Sequence, residues 1–339
     1  MFARAMAILA VVGAGIAWGQ DRSVALPEAR ITAKLTADAR SLTEIVTAPL
    51  AREFLAATAG LAEPSARVVY RDQRQGRAIT ARDYAALGPE ERDSFTARPC
   101  PPEFYYETAY GSPLVYSRVV DLAAPHMPRG DRRRSLDFGY GTIGHLQLLA
   151  RCGFDAHGVD VEPLFPALYG EPGDTGPHGT GTVTLHAGRW PAEEQLRTAI
   201  GGGYTLVSSK NTLKNGYLHP TPPPGRTVDP RRRLQLGVGD EEFLRRVHEA
   251  LRPGGLLVIY NISPPQNPPD EEYLPHADGT CPFPRALLEA TGFEVIAFDA
   301  DDQAWVLDCF ERLGYAEGKP REALADAYRC WYTIARKPD

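Results

Sequence analysis

The chain has 339 residues, 43% of them hydrophobic and 24% charged. That composition fits a soluble globular protein with a sizeable core, built as one large or two unequal domains. A net charge of −6 excludes the general electrostatic footprint of a nucleic-acid-binding protein, so no nucleic-acid partner is expected. The basic runs Arg132-Arg133-Arg134 and Arg231-Arg232-Arg233 are short, sit beside turn residues and read as solvated loop charge.

Taken in order, the chain opens with Arg4 and an apolar run from Ala5 to Ala17, too short to span a bilayer comfortably. Ala17-Trp18-Gly19 puts small residues where a cleavage site needs them. Residues 1–19 therefore read as a secretory segment cut near Gln20 or Asp21, leaving no stable membrane span and a secreted or periplasmic chain. An uncleaved anchor is the alternative. Residues 20–130 read as a mostly helical N-terminal extension. Ser41 is expected to cap a helix running through Leu61, with Leu42, Ile45, Leu50, Phe54 and Leu55 on its apolar side. Arg67 to Arg71 reads as a short strand. The aromatic segments Phe104-Tyr105-Tyr106 and Tyr110-Gly111-Ser112-Pro113 lead into a helix near Leu114 to Ala123.

Residues 131–339 carry the stretch around which the rest is organised. Leu136 and Phe138 flank Asp137 in an apolar run that enters Gly139-Tyr140-Gly141-Thr142-Ile143-Gly144. Ile143, Leu146, Leu148 and Leu149 then recur at helical spacing until Gly153 stops the helix. A second short strand, Ala156 to Val159, ends in Asp160. The order is strand, glycine turn, helix, strand, acid. Glycines let the backbone turn sharply and approach a ligand where a Cβ would clash, and an acid at the tip of the second strand accepts hydrogen bonds from ribose hydroxyls. The pattern suits either a dinucleotide or a nucleoside without phosphate. Asp137, two residues before the first glycine, sits poorly beside a pyrophosphate and well beside ammonium and sulfonium charges.

On these residues the chain resembles the class I S-adenosylmethionine (SAM)-dependent methyltransferases, whose first motif reads acidic-x-Gly-x-Gly-x-x-Gly. Asp137, Gly139, Gly141 and Gly144 match it, and Asp160 matches the ribose-binding acid. The resemblance implies SAM as cofactor, held by Asp137, Gly139, Tyr140, Gly141, Gly144 and Asp160, with Glu162 as a reserve ribose ligand, Ser209 at the end of the fourth strand, and Tyr106 or Tyr110 lidding the cofactor from the extension. The family commonly reads the adenine amine with an acid after the third strand, Val183 to His186. Here Ala187-Gly188-Arg189-Trp190-Pro191 supplies none, and Trp190 is either a stacking surface or a core residue.

The fourth strand, Tyr204 to Ser208, runs into the polar loop Ser209 to Pro220, where ligands of open α/β sheets bind. Lys210, Asn211 and His219 are the candidate catalytic residues. His219 is the one whose ordinary pKa suits proton removal near neutrality, and Lys210 and Asn211, nearer the strand, are better placed to orient. Neither Asn-Pro-Pro-Tyr nor Asp-Pro-Pro-Tyr occurs. Pro222 to Arg233 reads as a mobile insertion, Asp240 as the cap of a helix through Leu251, and Leu256 to Tyr260 as a buried strand after Arg252-Pro253-Gly254-Gly255, a second point of resemblance. Of five cysteines (Cys100, Cys152, Cys281, Cys309, Cys330) at least one stays free. Export would permit Cys309–Cys330 as a disulfide, and no spacing resembles a zinc site.

The fold expected is α/β: a Rossmann-like, seven-stranded, mostly parallel sheet with helices on both faces, plus the extension. The function expected is methyl transfer from SAM to a small-molecule or otherwise unidentified acceptor. The alternative is an exported, non-catalytic Rossmann-like binding module. Nicotinamide chemistry is disfavoured by Asp137.

Overall fold

The computed structural model describes residues 30–72, 74–108, 111–128, 130 and 133–339. The proposed secretory segment and Tyr110 lie outside the described residues. Eleven strands occur among the described residues: β1 (Arg67–Asp72), β2 (Arg77–Thr80), β3 (Thr96–Cys100), β4 (Arg133–Phe138), β5 (Phe154–Asp160), β6 (Gly176–His178), β7 (Gly181–Ala187), β8 (Tyr204–Lys210), β9 (Leu251–Ser263), β10 (Glu294–Asp301) and β11 (Arg329–Arg336).

The main sheet has the order β10-β11-β9-β8-β4-β5-β7-β6. β7, β5, β4, β8 and β9 are parallel neighbours. β11 is antiparallel to both β9 and β10, inserted between them. All seven positions of β8 are buried, as a central strand covered on both faces requires. The seven strands expected from the sequence are present in the Rossmann-like arrangement. An eighth, β6, adds a three-residue edge that hairpins onto β7. The strand order reverses between β4 and β8, and the crevice beyond their carboxyl ends is where such a sheet places its site.

The extension departs from its sequence reading. One helix from Ser41 to Leu61 is replaced by helices Ile31–Leu42 and Pro49–Ala56 with a 3₁₀ turn between them. Pro49 lacks the N–H a continuing helix needs and disfavours helical backbone before it, so it starts a new helix instead. Downstream, β2-β1-β3 form a separate antiparallel sheet. The extension is part of the main core: Leu35, Phe54, Leu55, Leu114 and Val119 share one buried cluster with Ile143, Leu146, Val258 and Phe310. The helix Tyr116–Ala123 is pinned by Arg118, which makes paired bonds to Asp302 (2.9 and 2.6 Å) and one to Asp121 (2.8 Å). The opposite face of the sheet buries Leu136, Phe243, Val247, Leu257, Ile259 and Phe283.

Within Pro222 to Arg233, expected as a mobile insertion, Val228 is buried and Arg232 pairs at the surface with Glu272 at 2.7 Å; just beyond it the Leu234 amide donates to the Tyr217 carbonyl. One further expectation is corrected. All five cysteines are buried free thiols, Cys309 and Cys330 included, and behave as small apolar core residues. Among the described residues no helix is long and apolar enough to cross a membrane, and no three metal-ligating side chains gather.

Candidate functional site

β4 ends at Phe138 and the chain turns through Gly139 (φ +74°) and Gly141 (φ +57°) into the helix Gly144–Arg151. Both angles fall where side chains other than glycine are strained. The Gly139 amide donates to the Val159 carbonyl at 2.8 Å, tying the turn to β5. A Cβ on Gly139 would lie 2.3 Å from the Thr212 hydroxyl, and one on Gly144 would lie 2.9 Å from Pro113. The loop after β8 and the extension thus close on the turn from two sides.

Asp160, at the end of β5, faces this turn. Its Oδ2 accepts from the Gly141 amide (3.3 Å) and its Oδ1 from the Glu162 amide (2.9 Å). Burial pushes its pKa up to about 6, with backbone donors pulling the other way and Glu162 adding to the rise. A carboxylate offers about four acceptor positions, so Asp160 keeps capacity for further donors. Val161 beside it is 52% exposed, one of two large apolar side chains so exposed among the described residues. Glu162 is already engaged. Its Oε1 accepts from Arg71 (3.0 Å) and from the Leu164 amide (3.0 Å).

Asp137 is placed differently from its sequence reading. It is 1% exposed and turned inward. Oδ2 accepts from the Tyr116 hydroxyl (2.7 Å) and pairs with His145 Nε2 (2.9 Å), and Oδ1 accepts from Ser208 (2.6 Å). The Tyr116 ring lies parallel to His145 at 3.6 Å, and the Lys210 ammonium sits 5.5 Å from its centroid. Burial lowers the His145 pKa, keeping the imidazole neutral. It also lowers Lys210 to about 8, against the pull of Asp137. The motif acid is therefore the hub of an interior network rather than a free charge facing a ligand.

The three side chains expected to carry chemistry are not brought together. Lys210 is interior. Asn211 is a turn residue (φ +63°) whose Oδ1 accepts from the Ile262 amide at 2.7 Å. His219 stands at the surface, its side chain 44% exposed, 2.8 Å from Asp240. The loop holding them is stapled by Lys214, which donates to the Ile262 carbonyl (2.9 Å), Ser263 (3.2 Å) and the His276 carbonyl (3.5 Å). Ser209 donates to the Phe138 carbonyl (3.1 Å) and accepts from the Leu213 amide. Trp190 is 2% exposed and packs edge-on against Phe243 at 6.1 Å, a core residue rather than a stacking surface. Tyr106 is buried with its hydroxyl on the Ala62 carbonyl (2.7 Å), packing the extension.

Sequence reasoning missed Tyr116 and His145, and it missed Glu193. No acid follows β7 directly, but Glu193 folds back to accept from the Arg189 amide at 2.7 Å. Its Oε2 lies 2.9 Å from where a Cβ on Gly188 would be. The acid reaches the strand end from the start of the next helix, Glu194–Ile200. The carboxylate stands at a helix start, where the dipole favours an acid, and not adjacent to the strand.

No protein-family model and no curated protein matches the chain. Among solved structures it is similar to the [4+2]-cyclase SpnF, at 17% identity over 65% of this chain and 80% of that one, TM-score 0.37. It is also similar to phosphoethanolamine N-methyltransferase 2 of Haemonchus contortus, solved with S-adenosyl-L-methionine, at 15% identity over 72% of this chain and 63% of that one, TM-score 0.36. A third is geranyl diphosphate C-methyltransferase from Streptomyces coelicolor A3(2), solved with Mg2+, geranyl diphosphate and S-adenosyl-L-homocysteine, at 13% identity over 65% and 79%, TM-score 0.38. The chain spans less than two thirds of the Haemonchus enzyme's length. Identities and scores of this size transfer no activity, and the functional reading rests on the residues themselves.

Proposed function

We propose that the chain binds S-adenosylmethionine in the crevice between β4 and β8 and transfers its methyl group to a small-molecule acceptor. The observation that carries this reading is Asp160. It is a half-buried carboxylate whose hydrogen bonds come from backbone amides, with acceptor capacity to spare, facing a glycine turn. Two ribose hydroxyls would satisfy it. The exposed Val161 offers an apolar rest for the base, and the second oxygen of Glu193 an acceptor for its amine. SAM supplies an already electrophilic methyl on a sulfonium. The chain's own part is to orient donor and acceptor in line and to keep water out. Asp137 contributes through the network that holds Tyr116 and the turn, not by direct contact. A second reading, a binding module without catalysis, is favoured by the scattering of Lys210, Asn211 and His219.

Isothermal titration with SAM, S-adenosylhomocysteine (SAH) and NAD separates these readings from nicotinamide chemistry. SAM and SAH are expected to bind and NAD is not. Asp160→Ala should weaken SAH by about 1–3 kcal/mol, roughly 5- to 150-fold. Unchanged affinity in a folded variant removes the ribose assignment.

The pH dependence follows from the same group. Free Asp160 titrates near pH 6. Hydroxyl donors favour its ionised form and lower the pKa in the complex, so below pH 6 binding must release a proton. The SAH Kd should be flat above pH 6 and rise about tenfold per unit below it. Calorimetry in two buffers of different ionisation enthalpy checks the sign. Proton release is expected at pH 5 and none at pH 7.5.

A further inference from the structure

β1 of the small sheet packs against the short helix Leu164–Leu168, which follows β5. Arg67, Val69 and Arg71 alternate along the strand and so share one face. Val69 is buried, and the two arginines reach opposite ends of the helix. Arg67 makes paired bonds to Asp174 (2.5 and 2.8 Å) and donates to the Leu168 carbonyl. Arg71 donates to Glu162 Oε1 at 3.0 Å, and the same oxygen accepts from the Leu164 amide. The Arg71 and Glu162 side chains are 18% and 17% exposed, so their pairing is screened less than a surface ion pair.

Glu162 acts on Asp160 in two opposite ways. Its amide donates to Asp160 Oδ1 at 2.9 Å, which favours the ionised carboxylate. Its side-chain charge disfavours it. Arg71 touches both effects, because it fixes the turn that aims the amide and sets a cation against the repelling charge. Tyr116 and Tyr140 also feel the Asp160 charge, but burial first holds both phenols far above their ordinary pKa, so they stay neutral. We propose that Arg71 is a positioning residue for the ligand of Asp160: through Glu162, the small sheet of the extension holds the end of β5 ready for binding. This rests on the reading that a nucleoside meets Asp160.

The test is SAH titration across pH for wild type, Arg71→Ala, Arg71→Lys and Glu162→Gln, with thermal unfolding as the folding check. Losing Arg71 should move the midpoint of Asp160 upward by about half a unit to one unit. Arg71→Ala is therefore expected to bind about 3- to 10-fold more weakly near pH 5 and within about twofold of wild type near pH 8.5. Arg71→Lys keeps the charge and should follow wild type within about twofold. Glu162→Gln removes the repelling charge and should bind about 2- to 5-fold more tightly near pH 5. An Arg71→Ala variant with wild-type affinity throughout, or weakened evenly at every pH, overturns the inference alone. Should that variant not fold, a Glu162→Gln variant with the wild-type pH profile overturns it instead. No SAH binding by wild type overturns this inference and the cofactor reading together.

Discussion

Asp137→Ala is expected to cost on the order of 4 kcal/mol of folding stability, a large share of the ~5–15 kcal/mol that holds a typical domain together. Three side chains end on this one buried carboxylate: Tyr116 from the extension, His145 from the first helix of the sheet domain, and Ser208 from β8. Each buried polar group left without its partner costs ~1–3 kcal/mol, and the loss also strips charge from beside the buried Lys210. Asp137→Asn keeps the shape but turns two N–H donors toward other donors, so it should recover only part of the loss. Urea unfolding followed by circular dichroism measures both. An alanine variant within about 1 kcal/mol of wild type would show that Tyr116 and its neighbours find other partners, and would end the description of Asp137 as a hub.

Gly141→Val is expected to weaken SAH by about 100-fold or more while leaving a folded protein. The residue sits at φ +57°, where an L-residue pays ~1–2 kcal/mol and a β-branched one more. Its amide is the donor that orients Asp160, and its carbonyl accepts from Thr108 at 2.9 Å. Relieving the valine moves both. A loss of about 3 kcal/mol at the ribose end corresponds to the stated factor. Normal calorimetric affinity in the variant would make the turn structural only.

The sheet was legible from sequence because its signals are local. Leu136 to Asp160 spells strand, turn, helix and strand in neighbouring residues, and the apolar run of β9 follows a Pro-Gly-Gly turn. What escaped depends on contacts made across the chain. Asp137 was read beside its glycines, but its partners Tyr116 and Ser208 are 21 and 71 residues away. Nothing in the local pattern distinguishes a carboxylate facing a ligand from one facing a tyrosine. Glu193 was missed because it lies four residues past Arg189 and reaches back. Lys210 and Asn211 looked chemically apt for the same reason they are structurally useful, since polar side chains at a strand end satisfy loop backbone as readily as they meet substrates. Pro49 was a local signal passed over.

The helices of the extension lean on Gln303–Arg312, a helix synthesised long after them. Trp305 donates to the Ile45 carbonyl across 260 residues, Arg312 to the Ser41 carbonyl across 271, and Arg118 clasps Asp302 across 184. During translation, then, Leu35, Phe54 and Leu55 emerge before Leu114, Val119, Ile143 and Leu146, which share their cluster, and long before Phe310, which completes it. The extension is synthesised before the sheet and makes its last contacts only once Trp305 and Arg312 have followed. Loops of this length make folding slow and leave apolar surface open to other partners meanwhile.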